Sequence, residues 1–116
     1  MVLPGGGVVI IPIWIVTPVV TDKFPDTWPV EPNKKKIGYR WQDPANPKGN
    51  GVRIDKGDPN SPFPSQQVDH VIVRSDGKVL GRDGKPIGGD GSIQGDPENA
   101  HIPLSEYKDW SKWNEK

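Results

Sequence analysis

The chain has 116 residues, 14 of them glycine and 14 proline, and only 32% are hydrophobic, so it holds one small core with long loops rather than two domains. It has no cysteine, which excludes a disulfide framework and a thiolate zinc site. Its formal net charge is zero; all but one of the 15 basic and all but three of the 15 acidic residues follow position 33, a faint basic excess well short of a general polyanion footprint. Any nucleic-acid contact has to rest on a local cluster.

Residues 8–20 are apolar but broken by Pro12 and Pro18, follow Gly5-Gly6-Gly7, and have no basic residue ahead of them. Proline removes a backbone donor and clashes inside a helix, and spanning a membrane takes about 20 unbroken apolar residues, so no stable membrane insertion and no signal peptide is expected. An extended edge strand or a linker to a longer parent polypeptide fits better. From Lys23 to Pro32 a proline recurs every few residues, as in an extended spacer. Lys34-Lys35-Lys36 reads as a solvated run or as a phosphate-steering arm. Residues 1–36 are therefore expected as a Pro/Gly-rich leader and residues 37–116 as the folded domain.

Gly38-Tyr39-Arg40-Trp41-Gln42 alternates large and polar residues and predicts a first strand, ended by Asp43-Pro44. After the Asn50-Gly51 turn, Val52-Arg53-Ile54-Asp55-Lys56 alternates with period two. Val52 and Ile54 then face the core, and Arg53 and Asp55 face the other way. Residues 57–65 form a proline-rich loop of a length that tends to carry function. Residues 68–73 predict a central strand, with Val68, His70 and Ile72 on one face and Asp69, Val71 and Val73 on the other. A Ser75-Asp76-Gly77 turn leads into a second strand of the hairpin. Residues 88–92, Gly-Gly-Asp-Gly-Ser, form a loop. Then His101-Ile102-Pro103-Leu104 leads to Ser105, the expected N-cap of a helix from Glu106 whose Tyr107, Trp110 and Trp113 pack on the sheet. The fold class is α+β: a twisted antiparallel sheet of four or five strands, one C-terminal helix and the leader.

The chain has two histidines, His70 in the central strand and His101 before the helix. Imidazoles titrate near neutrality, so such a pair supplies the general acid and base that RNA cleavage without a metal or any cofactor needs. Arg53 and Lys56 supply fixed positive charge beside them, and Arg82 matches a phosphate by its guanidinium fork. Asp69 and Ser105 complete the candidate substrate-binding set. Two other functions fit the same residues. Asp69-His70 resembles the opening of an HNH-type ββα-metal nuclease, a metal-dependent DNase, although no further ligating histidine follows His101. The aromatic helix would instead suit a non-catalytic protein-binding tip.

The blocks Gly51-Val52-Arg53-Ile54-Asp55-Lys56-Gly57, Ser65-Gln66-Gln67-Val68-Asp69-His70-Val71, Gly81-Arg82-Asp83-Gly84-Lys85-Pro86-Ile87 and His101-Ile102-Pro103-Leu104-Ser105-Glu106 give residues 38–114 a resemblance. They resemble the C-terminal toxin domains of bacterial polymorphic and contact-dependent inhibition toxins and of S-type pyocin-like bacteriocins. The resemblance implies a tip delivered from the cell surface or by secretion on a parent polypeptide. It would act on tRNA or rRNA in the target-cell cytoplasm and be neutralised by a cognate immunity protein. Many such tips are metal-independent ribonucleases built on a small antiparallel sheet. This chain departs from two of their groups: the ribosome-cleaving colicins place an acidic pair around their histidine, whereas no glutamate follows His70, and the barnase-like enzymes have a helix before the sheet, whereas none is predicted here.

Overall fold

The computed structural model describes residues 17–33, 37–87 and 93–115. In chain order they form helix α1 (Thr17–Thr21), strands β1 (Val30–Pro32), β2 (Gly38–Gln42), β3 (Gly51–Asp55), β4 (His70–Ser75) and β5 (Lys78–Val79), helix α2 (Pro97–Ala100), strand β6 (Ile102–Pro103) and helix α3 (Leu104–Tyr107). All the strands pair antiparallel in one sheet. β1 to β5 lie in sequence order, and β6 pairs with the start of β4 while β5 pairs with its end. This is the expected α+β fold with a small antiparallel sheet, and β4 is its central strand.

Local chemistry sets the register. Between β4 and β5, Asp76 (φ 52°) and Gly77 (φ 81°) both take the left-handed region, and Ser75 pairs with Lys78. That is the two-residue turn whose twist matches an antiparallel hairpin. At the start of β2, a Cβ on Gly38 would lie 1.8 Å from the Ile54 carbonyl oxygen, so only glycine lets β2 close on β3 there. The backbone of Ile37 then accepts the Lys56 N–H at 2.9 Å.

One face of the sheet carries Trp41, Val52, Ile54, Val71 and Val73, all buried. Onto it pack Val20, Phe24, Trp28 and Val30 from one side, and Ile102, Tyr107 and Trp110 from the other. Phe24 stacks on Trp28 with centroids 5.0 Å apart and tilts against Trp41 at 5.8 Å. The Tyr107 hydroxyl donates to the Val20 carbonyl at 3.1 Å, which ties α3 to α1.

Three expectations change. The folded unit does not begin at residue 37: residues 17–33 belong to it, because four large apolar side chains there fill the core and β1 pairs with β2. The stretch supplies these contacts as single side chains from α1 (Val20), two bends (Phe24 and Trp28) and β1 (Val30), an irregular spacing that its composition hides. The C-terminal helix starts at Leu104, with Pro103 in the N-cap position and Ser105 inside the first turn. It lasts one turn, so Trp110 and Trp113 lie beyond it. Tyr107 and Trp110 are nevertheless buried, stacked at 5.8 Å, so these rings are core and not a docking stripe. Lastly, neither α1 nor α2 was anticipated: α1 is a single turn just before the sheet, where an extended segment and no helix were expected, and α2 starts in a standard way, with Asp96 accepting the Asn99 N–H at 3.3 Å and Pro97 in the first turn. Residues 34–36, residues 88–92 and the apolar residues 8–16 lie outside the described residues. No helix among the described residues is long and apolar enough to cross a membrane.

Candidate active site

The face of the sheet turned away from the main core carries the charged and polar side chains, beside a smaller buried cluster of Ile72, Val79, Ile87 and Ala100. Strand alternation and register place its residues in rows: Asp55 beside His70, then Arg40 beside Arg53 beside Ile72, then Gln42 beside Gly51 beside Arg74. A cleft of about 430 Å³ lies over these rows, and His101 closes one end of it.

β6 pairs Pro103 with His70, and α2 ends at His101 with extended backbone (φ −102°, ψ 103°), which together swing the second histidine back over the first. The two rings meet edge to face, with centroids 4.8 Å apart and planes at 85°. His70 and His101 are only 5% and 4% exposed, so any group reaching them must enter from the cleft.

Their tautomers follow from their partners. His70 Nδ1 donates to the Val68 carbonyl at 2.7 Å, leaving Nε2 towards Asp55 Oδ2 at 3.8 Å. His101 Nδ1 donates to the Pro97 carbonyl at 2.5 Å, so Nε2 carries the lone pair and accepts from Gln66 Nε2 at 3.1 Å. Burial holds His101 below its ordinary pKa of 6.5, against the Pro97 hydrogen bond; the charges of His70 and Arg53 lower it further, and Asp55 opposes them. His101 is therefore neutral at neutral pH.

This has a consequence for stability. In the unfolded chain the imidazole takes up its proton near pH 6.5, while the folded chain resists it, so the unfolded state binds more protons as the pH falls below 6.5. The contribution of His101 is complete above that value and is lost on acidification through the window beneath it. Urea midpoints taken at about pH 7.5 and about pH 5.5 should therefore fall more for the wild type than for His101→Gln, the difference reporting this one group. An equal fall in both would show that His101 is not held neutral.

Among the residues predicted for the site, His70, His101, Arg53 and Lys56 come together around the cleft. Arg53 Nε donates to Asp55 Oδ2 at 2.9 Å, and the rest of its guanidinium has no partner among the described residues. Lys56 is exposed at the rim. Arg82, Asp69 and Ser105 are elsewhere. Arg82 is held by Glu106 at 2.8 Å and Glu98 at 3.7 Å, and its carbonyl accepts the Trp110 indole N–H. Asp69 accepts the Gly57 N–H at 2.9 Å, which braces a loop, because its strand position points opposite to His70. Ser105 sits exposed on α3, on the far side of the sheet.

The sequence reading missed four members. Asp55 is 3% exposed and gathers Asn33, Arg53 and His70 around one carboxylate, with a hydrogen bond from the Asn33 amide. Its shared face with Arg53 was legible from the period-two pattern, but its burial was not. Arg40 and Arg74 follow from the same alternation on β2 and β4, while Gln66, in a short 3₁₀ turn (Pro64–Gln66), had no signal. Among the described residues no three His, Asp or Glu side chains are grouped as metal ligands would be. No family model, no curated protein and no solved structure matches the chain.

Proposed function

We propose that the protein is an endoribonuclease that cuts RNA without a metal, with His101 as general base and His70 as general acid. The observation that carries this reading is the meeting of the chain's two imidazoles, 4.8 Å apart, at the end of a cleft whose floor is lined by arginine. Histidine pairs are suited to this work because one neutral and one protonated ring at the same pH serve both proton transfers.

The step balances within the pair. The 2′-hydroxyl displaces the Gln66 amide at His101 Nε2 and gives its proton to that nitrogen while the 2′-oxygen attacks phosphorus. The P–O5′ bond breaks, and His70 Nε2 delivers a proton to the departing O5′. The products are a 2′,3′-cyclic phosphate and a 5′-hydroxyl end. Asp55 Oδ2 faces His70 Nε2 and would pair with the imidazolium, and the Arg53 guanidinium nitrogens without a partner among the described residues would meet the phosphorane oxygens.

The likeness of four sequence blocks to bacterial toxin tips supports a biological setting for this activity: delivery on a parent polypeptide, attack on tRNA or rRNA in a competitor, and restraint by an immunity protein in the producer. The test is incubation of the purified chain with total RNA in EDTA, followed by mapping of the ends. Discrete fragments with 2′,3′-cyclic phosphate are expected. Intact RNA, or cleavage that EDTA abolishes, would overturn the proposal.

A further inference from the structure

On β2 and β3 two arginines, Arg40 and Arg53, stand directly opposite each other in the cleft floor. Like charges in that position destabilise a sheet pair. Each has one carboxylate to offset it, Glu31 for Arg40 at 3.3 Å and Asp55 for Arg53 at 2.9 Å, but their guanidinium groups still share one stretch of floor. A row further on, Arg74 is exposed and makes no ion pair among the described residues. Two carboxylates offset Arg40 and Arg53, but this stretch of floor keeps a net excess of positive charge, and the main core lies on the other side of the sheet.

Their spacing is regular. Two residues along a strand cover roughly 6.6 Å, so the His70 row, the Arg40–Arg53 row and the Arg74 row follow at equal steps of that size. Successive phosphates of an extended nucleic-acid strand are separated by a comparable step. Beside Arg53 in the middle row, Ile72 is buried and lines the floor with apolar surface.

Resting on the ribonuclease reading, we infer that this face is a binding track for single-stranded RNA, engaging three consecutive phosphates: one at the imidazoles, one at Arg40 and Arg53, and one at Arg74. A duplex does not suit the site. Both imidazoles are sunk below the surface, so a phosphodiester has to descend into the cleft to reach them, and a base-paired backbone cannot leave its helix to do so. Attack by the 2′-oxygen in line with the P–O5′ bond also needs a sugar free of helical geometry.

The track is tested by binding, without cleavage, of fluorescent 2′-O-methyl oligouridylates to the full chain. The capped 2′-oxygen cannot react, so the outcome does not depend on whether the protein is a nuclease. Affinity should rise steeply from the dinucleotide to the tetranucleotide. Arg74→Ala should weaken the tetranucleotide about tenfold, leave the dinucleotide unchanged, and flatten the dependence of log K on log salt by about 0.7. A matching 2′-O-methyl duplex should bind more weakly than the tetranucleotide. Equal affinity for both lengths, an Arg74→Ala variant that binds and responds to salt as wild type does, or preference for the duplex would each overturn the track. Length-dependent binding together with intact RNA in the EDTA assay would uphold the track and defeat the nuclease.

Discussion

His70→Gln and His101→Gln should each slow cleavage of a labelled RNA oligonucleotide in EDTA by about 10²- to 10⁴-fold, the usual contribution of a positioned acid or base. Glutamine keeps a polar side chain of similar reach, so the carbonyls of Val68 and Pro97 keep a donor within range and the loss reports chemistry rather than collapse. Two groups that act in one step are not independent, so the double variant should be little slower than the worse single one. The pH profile separates their roles. As a base His101 must be unprotonated, and its pKa lies below 6.5, so the wild-type rate should climb with pH through that lower range. His101→Gln should lose this limb. A single variant within about threefold of the wild-type rate would remove that histidine from the chemistry.

A chain beginning at Ile37 should not fold. The deletion takes away Val20, Phe24, Trp28 and Val30, none more than 6% exposed, together with β1, the outer partner of β2. Losing each large core side chain costs about 2–5 kcal/mol, and a domain's whole stability is about 5–15 kcal/mol, so four such losses exceed what is available. Asn33 goes as well, leaving the Asp55 carboxylate without its amide partner in the cleft. In the full-length chain, Trp28→Ala alone should lower stability by about 3–5 kcal/mol in urea, since the indole stacks on Phe24 and abuts Trp113. Cooperative unfolding and dispersed amide resonances from the truncated chain would show instead that residues 17–33 are an appendage. The proposed activity is tied to this result, because β2 carries Arg40 and Asn33 reaches the same carboxylate as His70.

The hairpin and the sheet were legible because strand signals are local. Asp76-Gly77 can take two left-handed residues in a row, and Val52 and Ile54 alternate with Arg53 and Asp55 whatever lies beyond them. The placing of His70 on the face of Arg53 follows from the same period once the strands are paired. Helix signals were weaker: α2 and α3 are single turns of four residues, too short for an apolar periodicity, and Pro103 rather than Ser105 stands at the cap. The fate of Arg82 was beyond local reading, since its ion-pair partners, Glu98 and Glu106, come from two later helices.

Residue order alone settles the alternation of the strands, the Asp76-Gly77 turn, the absence of any thiol chemistry and the presence of just two imidazoles. Each of these depends on a residue and its immediate neighbours. The meeting of His70 with His101, the burial of Asp55 beside them and the enlistment of residues 17–33 into the core were decided by the folded chain. Such contacts join segments far apart in sequence, and they form only when burial of apolar surface outweighs the entropy of closing the loops between them.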